Sequence, residues 1–225
     1  MLRPFAPLAC LGLLATLTGL TGCALVDAPR EAQANDATPP MPAMPSPHWA
    51  DDVVAPLAAT WPDDHRRPFL KMLAPMAMRS GAEHCIPPSV TVAQGILESG
   101  WGRSNNALEL NNLFGIKASA AERGDRVATW EYVGGKKVRR HERFRRFDSW
   151  HEAVRQHDQR LAEHPAYADA RAERQSGPDF VEAIAPVYAT DPAYAERIHG
   201  LVELYGLDAL DEPALERAEA QQRCG

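Results

Sequence analysis

Long hydrophobic runs, metal-ligand spacings and surplus positive charge are all missing from this 225-residue chain. The longest apolar run, from Phe5 to Leu20, is broken by Pro7 and is too short for a comfortable membrane span. Eight histidines are present, yet His151-Glu152 lacks the second histidine of a zinc-binding HExxH helix, and His157 comes too late to supply it. No phosphate loop, dinucleotide fingerprint or GxSxG turn occurs, and no internal repeat stands out. Neither a metal nor an organic cofactor is therefore expected. The formal net charge of −6 argues against a general nucleic-acid binder, which needs a basic footprint.

What the N-terminus does have is the design of an export signal. Arg3 precedes the apolar run, which ends in Leu20-Thr21-Gly22-Cys23. That junction resembles a bacterial lipoprotein signal, with Cys23 the lipidated first residue once 1–22 are removed. Ala24 follows it, where enteric-type bacteria use an aspartate for inner-membrane retention. The expectation is an envelope protein held by lipid at the outer membrane and facing the periplasm. One acyl chain anchors only marginally, and several make the attachment stable. Losing 1–22 removes Arg3 and no acidic residue, so the remaining chain is one unit more acidic.

From Asp27 to Pro62 the composition is Ala, Pro, Asp and Met, with seven prolines between Pro39 and Pro62. The stretch 23–62 reads as an extended tether with too little apolar content for a core. The globular part is expected over 63–225, ample for one core. Phe69, Leu70, Met72, Leu73, Met76 and Met78 recur at roughly helical spacing, which predicts a helix over 66–82 that Gly81 helps to end.

The stretch around which the rest is organised is IPPSVTVAQGILESGWGRSNNALELNNLFGIK, residues 86–117. Pro87-Pro88 suits the start of a helix. Val90, Val92, Ala93, Ile96 and Leu97 fall on one face; Thr91, Gln94, Gly95 and Glu98 gather opposite. Glycine inside a helix costs about 1 kcal/mol relative to alanine, so Gly95 marks a close approach. Glu98 closes the helix before Ser99-Gly100, with an Asn-rich turn after it. One carboxylate backed by apolar packing is the environment that keeps a glutamate protonated for general acid work. The competing reading is a surface glutamate at a helix end.

The segments AQGILESGWGRS and NNLFGIK resemble the signature of the glycoside hydrolase family 73 glucosaminidases. The similarity continues through TWEYVGGKKVRRHERFRRFDSW and YATDPAYAERI. The resemblance implies a lysozyme-like α+β domain, mostly helical, with a small β-hairpin lobe forming one wall of a glycan cleft. It implies action on the glycan strands of bacterial cell wall, at the β-1,4 bond after N-acetylglucosamine. It puts the catalytic acid at Glu98, a second functional carboxylate at Glu131 and an active-site tyrosine at Tyr194. Asn112, Phe114 and Tyr188 are candidate sugar contacts. Trp101 either stacks on a sugar or packs under the cleft.

Around Glu131 the period is two. Thr129, Glu131 and Val133 point one way, Trp130 and Tyr132 the other, and Gly134-Gly135 makes a two-residue hairpin turn. In that register Glu131 faces Val138. Between Lys136 and Arg146 stand seven Lys or Arg against one glutamate. That run is either a solvated strand face or a positive rim for carboxylate-bearing peptidoglycan.

Ser149 and Glu152 form a capping box opening a helix to residue 163. Shorter helices are expected over 166–172 and 178–187. Asp191-Pro192 reads as N-cap and first residue of the next helix, with Tyr194 in its first turn. Cys85 and Cys224 remain once Cys10 leaves with the signal and Cys23 takes lipid, and they are the candidate disulfide. The functional expectation is an endo-β-N-acetylglucosaminidase of peptidoglycan. The alternatives are a lytic transglycosylase or muramidase of the same fold, and a catalytically silent wall-binding scaffold.

Overall fold

The computed structural model describes residues 48–133 and 136–224, apart from the side chains of 129–138 and 140. The export signal, Cys23 and the tether as far as residue 47 lie outside the described residues. The elements in order are α1 (His48–Ala58), α2 (Arg66–His84), α3 (Pro88–Ser99), α4 (Asn105–Leu110), β1 (Gly124–Val133), β2 (Lys136–Arg145) and α5 (Trp150–Glu163). Two 3₁₀ turns follow, Pro165–Tyr167 and Asp169–Glu173, then α6 (Gly177–Tyr188) and α7 (Tyr194–Tyr205). A further 3₁₀ turn, Leu207–Leu210, leads into α8 (Asp211–Ala220). The fold is mostly helical, with one two-stranded antiparallel sheet.

The fold is built round α3, which packs against α2 on one side and α6, α7 and the Leu207–Leu210 turn on the other. Helix α2 in turn touches α1, α5 and α8. Both sides of α3 are therefore buried, the polar one included: Thr91 and Gln94 are inaccessible to solvent. Pro88 opens the helix and Gly100, at φ 56°, closes it by returning its N–H to Ile96. Gly95 is where α2 comes closest, since a Cβ there would lie 2.7 Å from Leu73 Cδ2. Gly81 does not end α2. It sits inside the helix because a Cβ would lie 2.6 Å from the Ile86 carbonyl, and the left-handed residue at the end is Cys85.

The tether reading fails over 48–62. His48–Ala58 is helical despite Pro56, and Ala50, Val54 and Ala58 line its buried face. Trp61, 2% exposed, follows them into the core and donates its indole N–H to the Tyr205 carbonyl at 2.9 Å. An i, i+4 stripe of small apolar residues was enough once a domain was there to receive it.

The hairpin pairs Glu131 with Val138, and its strands run longer than the alternation indicated, from Gly124 and to Arg145. Its base is pinned to the turn after α4. The Asn112 side-chain amide donates to the Ile116 and Arg145 carbonyls, both at 2.8 Å, and its oxygen accepts the Ile116 N–H at 2.9 Å. Helix α5 begins as read, with the Ser149 hydroxyl accepting the Glu152 N–H, although the Glu152 carboxylate turns back to the Asp148 N–H. Asp191 is displaced from its expected role: it accepts the Ala193 N–H in a turn, and α7 starts only at Tyr194. Cys85 and Cys224 are joined, with their Cα atoms 5.6 Å apart.

Candidate active site

Glu98 is the last-but-one residue of α3 and is half-buried at the end of an otherwise enclosed helix. The Tyr194 hydroxyl, from the first turn of α7, donates to its Oε1 at 3.3 Å. One turn back along α3, the Gln94 side-chain amide donates to the same hydroxyl at 2.9 Å. Tyr194 is 1% exposed and its ring stacks on Tyr188, with centroids 5.4 Å apart. Residues 94 and 98 share a helix face at the i, i+4 spacing, which is why one tyrosine can meet both.

Behind this pair lies a second polar layer. The Tyr188 hydroxyl is 3.3 Å from His157 Nε2, and His157 Nδ1 is 2.9 Å from Asp158 Oδ1. The Thr91 hydroxyl donates to that same oxygen at 2.8 Å. With Nδ1 donating to the carboxylate, Nε2 is left to accept from Tyr188. Phe114 lies flat on the His157 ring, with centroids 3.9 Å apart. His157 and Asp158 are almost fully buried. Sequence reasoning weighed His157 only as a metal ligand. The available signal was its place, with Asp158, in the i+3/i+4 series Trp150, Ala153, Val154 and Leu161 that forms the buried face of α5.

Several expected sugar contacts take other places. Asn112, 1% exposed, has its amide committed to holding the hairpin base. Phe114, 1% exposed, packs under the site on His157, and Tyr188, 3% exposed, supports Tyr194 from below. None of the three presents a face to a glycan. Aromatic and amide residues in a turn beside a candidate acid look the same in sequence whether they line a cleft or support it. Trp101 is half-buried in the left-handed region, at φ 65°, with its ring edge-on to Phe69 and Tyr205 at 5.9 and 5.2 Å. Glu131 is fixed in register on β1, and its side chain lies outside the described residues.

The basic run of β2 is neutralised at its base. Arg145 pairs with Glu122 and Arg146 with Asp125, both at 2.8 Å, while Glu142, the one acid of the run, pairs outside it with Lys117 at 3.3 Å. Arg143 spends its guanidinium on the Ser119 and Glu122 carbonyls. Among the described residues no cluster of His, Cys, Asp and Glu could hold a metal ion, and no helix is long and apolar enough to cross a membrane.

A family model described as mannosyl-glycoprotein endo-beta-N-acetylglucosaminidase matches residues 74–207. The exo-glucosaminidase LytG of Bacillus subtilis is 32% identical over 155 residues, which cover 66% of this chain and 55% of LytG. The chain thus spans about half the length of that curated relative. Among solved structures, the catalytic domain of the autolysin Auto from Listeria monocytogenes aligns with 76% of this chain and 100% of its own, at 28% identity and a TM-score of 0.60. A C-terminally truncated glycoside hydrolase domain of Salmonella typhimurium FlgJ covers 64% of this chain and 98% of its own, at 28% identity and a TM-score of 0.52. The matched span holds α3, the hairpin and α5 to α7, and leaves out α1 and α8. The matched span covers more than half of the chain and includes Glu98, Tyr194 and the helices that bring them together, and this chain belongs to the glucosaminidase family.

Proposed function

We propose that this protein is a peptidoglycan hydrolase that cuts within glycan strands at the β-1,4 bond following N-acetylglucosamine, with Glu98 as the general acid. The observation that carries the reading is the Tyr194 hydroxyl donated to a half-buried carboxyl at the end of α3, in a chain of the glucosaminidase family. Glu98 gives its proton to the leaving glycosidic oxygen. The carboxylate left behind is then steadied by the hydroxyl that already points at it.

Glu131 is the second functional carboxylate in this reading. Two routes to the anomeric carbon share the same acid: Glu131 activates water or attacks directly, or the substrate's 2-acetamido group attacks first. Glu131→Gln separates them. A loss as deep as that of Glu98→Gln assigns the step to Glu131, and partial activity assigns it to the acetamido group.

The protein works from a lipid anchor at Cys23, in the outer membrane and facing the wall. Labelled palmitate that fails to enter the chain would remove that part of the reading.

Digesting purified peptidoglycan and identifying the new chain ends by mass spectrometry tests the central claim. Reducing N-acetylglucosamine ends on fragments of mixed length are expected. Single sugars released from strand termini would mean exo action, the activity for which the exo-glucosaminidase LytG is named. Anhydromuramic ends would make it a transglycosylase, and reducing muramic acid a muramidase. No new ends from folded protein that still binds wall would leave a scaffold.

A further inference from the structure

We propose that Gln94 is a positioning residue for the reaction, setting the direction in which the Tyr194 hydroxyl points its proton. The inference rests on the reading of Glu98 as general acid and adds to it a residue that has no contact with substrate. Gln94 is fully buried, one turn of α3 before Glu98, and its side-chain N–H₂ donates to the Tyr194 oxygen at 2.9 Å. A phenol has one proton and two lone pairs. With a lone pair taken by Gln94, the proton is directed away from α3's interior and toward an acceptor at the site. Glu98 Oε1 stands there at 3.3 Å.

The direction of this bond has a chemical consequence. A hydroxyl donated to Oε1 stabilises the negative charge that develops on the carboxyl as Glu98 gives up its proton. Were the bond reversed, with Tyr194 donating to Gln94, the hydroxyl would offer Glu98 only a lone pair and would oppose the charge that forms there. Helix geometry makes the arrangement rigid, because the carboxyl and the amide that orients its partner are borne on one face of the same helix. The stacked Tyr188 ring holds Tyr194 from behind, so the phenol cannot swing to escape the constraint.

Two substitutions test this, assayed on soluble glycan fragments with kcat and KM measured separately. Gln94→Met keeps the length of the side chain and removes its donor. It should lower kcat about tenfold with KM unchanged, and by less than twofold when Tyr194 is already Phe, since the two act through one hydroxyl. An equal loss in both backgrounds, or a change in KM alone, would overturn the proposal. Gln94→Glu has the shape of the native side chain but only accepts when ionised, so it draws the phenol proton inward. Its kcat should fall further than that of Gln94→Met, and wild-type kcat in a folded Gln94→Glu protein would equally overturn the inference. Glu98→Gln, run alongside, separates the two ideas. Full activity there sinks the acid assignment, whereas a dead Glu98→Gln with an indifferent Gln94→Met sinks only the positioning role.

Discussion

Asp211, on α8, caps the first turn of α3 from 122 positions away: its two carboxylate oxygens accept the Ser89 N–H at 2.8 Å and the Ser89 hydroxyl at 2.7 Å. Pro87 offers α3 no side-chain cap of its own. The helix that bears the candidate acid is therefore finished by a residue beyond the span shared with the family model.

Burial raises the Asp211 carboxyl to about 6, against the pull of both Ser89 hydrogen bonds, and the nearby Asp208 charge adds to the rise. A folded-state value above the ordinary 3.8 means that the folded protein holds this proton more tightly than the unfolded chain. The stability so gained is complete below about pH 4 and is lost as pH rises through about 6. Asp211→Asn abolishes the titration. Urea unfolding should show the variant gaining on the wild type between about pH 4 and pH 7, by at most about 3 kcal/mol. A constant difference across that range would contradict the assignment.

Glu98→Gln is nearly isosteric and has no acidic proton to give. Wall hydrolysis should fall by at least about 100-fold with the urea midpoint little changed. Clearing of a peptidoglycan zymogram at wild-type strength would remove Glu98 from its role.

Tyr194→Phe keeps the ring on Tyr188 and deletes the hydroxyl. Activity should drop about 10- to 100-fold. Stability should also fall by about 1–3 kcal/mol, because the buried Gln94 amide loses its acceptor. Urea denaturation and a turnover assay on the same preparation read both effects, and a purely packing role would leave turnover untouched.

Asn112→Ala distinguishes a clip from a sugar contact. Three hydrogen bonds at the hairpin base are lost, which should cost about 2–3 kcal/mol of stability. A higher KM in a protein of normal stability would restore Asn112 to the cleft.

The Cys85–Cys224 bond closes a loop of 139 positions. Cys85→Ser should lower stability by about 2–5 kcal/mol. In denatured, unreduced protein carrying Cys10→Ser and Cys23→Ser, thiol titration should find neither remaining cysteine free; two reactive thiols would show the pair open.

Helix α3 was legible because its ends and its apolar face are written locally, in Pro87-Pro88, in Gly100 and in the spacing of Val90, Ala93 and Leu97. Its other face was legible only as polar. That it too is buried depends on Asp158 and Tyr194, which reach it from 67 and 100 positions away, and periodicity contains nothing about such partners. The same limit explains Asn112, Phe114 and Tyr188. Their types suited a cleft, and tertiary packing turned them inward. Helix α1 was hidden by its proline-rich surroundings, since composition averaged over 27–62 drowned the stripe Ala50, Val54 and Ala58. At Asp191-Pro192 the expected cap is not made: the Asp191 carboxylate closes a turn on the Ala193 N–H, and the helix starts three residues after it, at Tyr194.

Ten of the twelve residues of α3 are buried. Amide protons in such an element exchange with solvent only when the whole domain opens, whereas those of surface elements exchange through local fraying. Glu98 is thus carried by an enclosed helix whose body has few conformations open to it short of unfolding. Whatever rearrangement accompanies the entry of a glycan strand falls to other elements, and the candidate acid stays still while the substrate is brought to it.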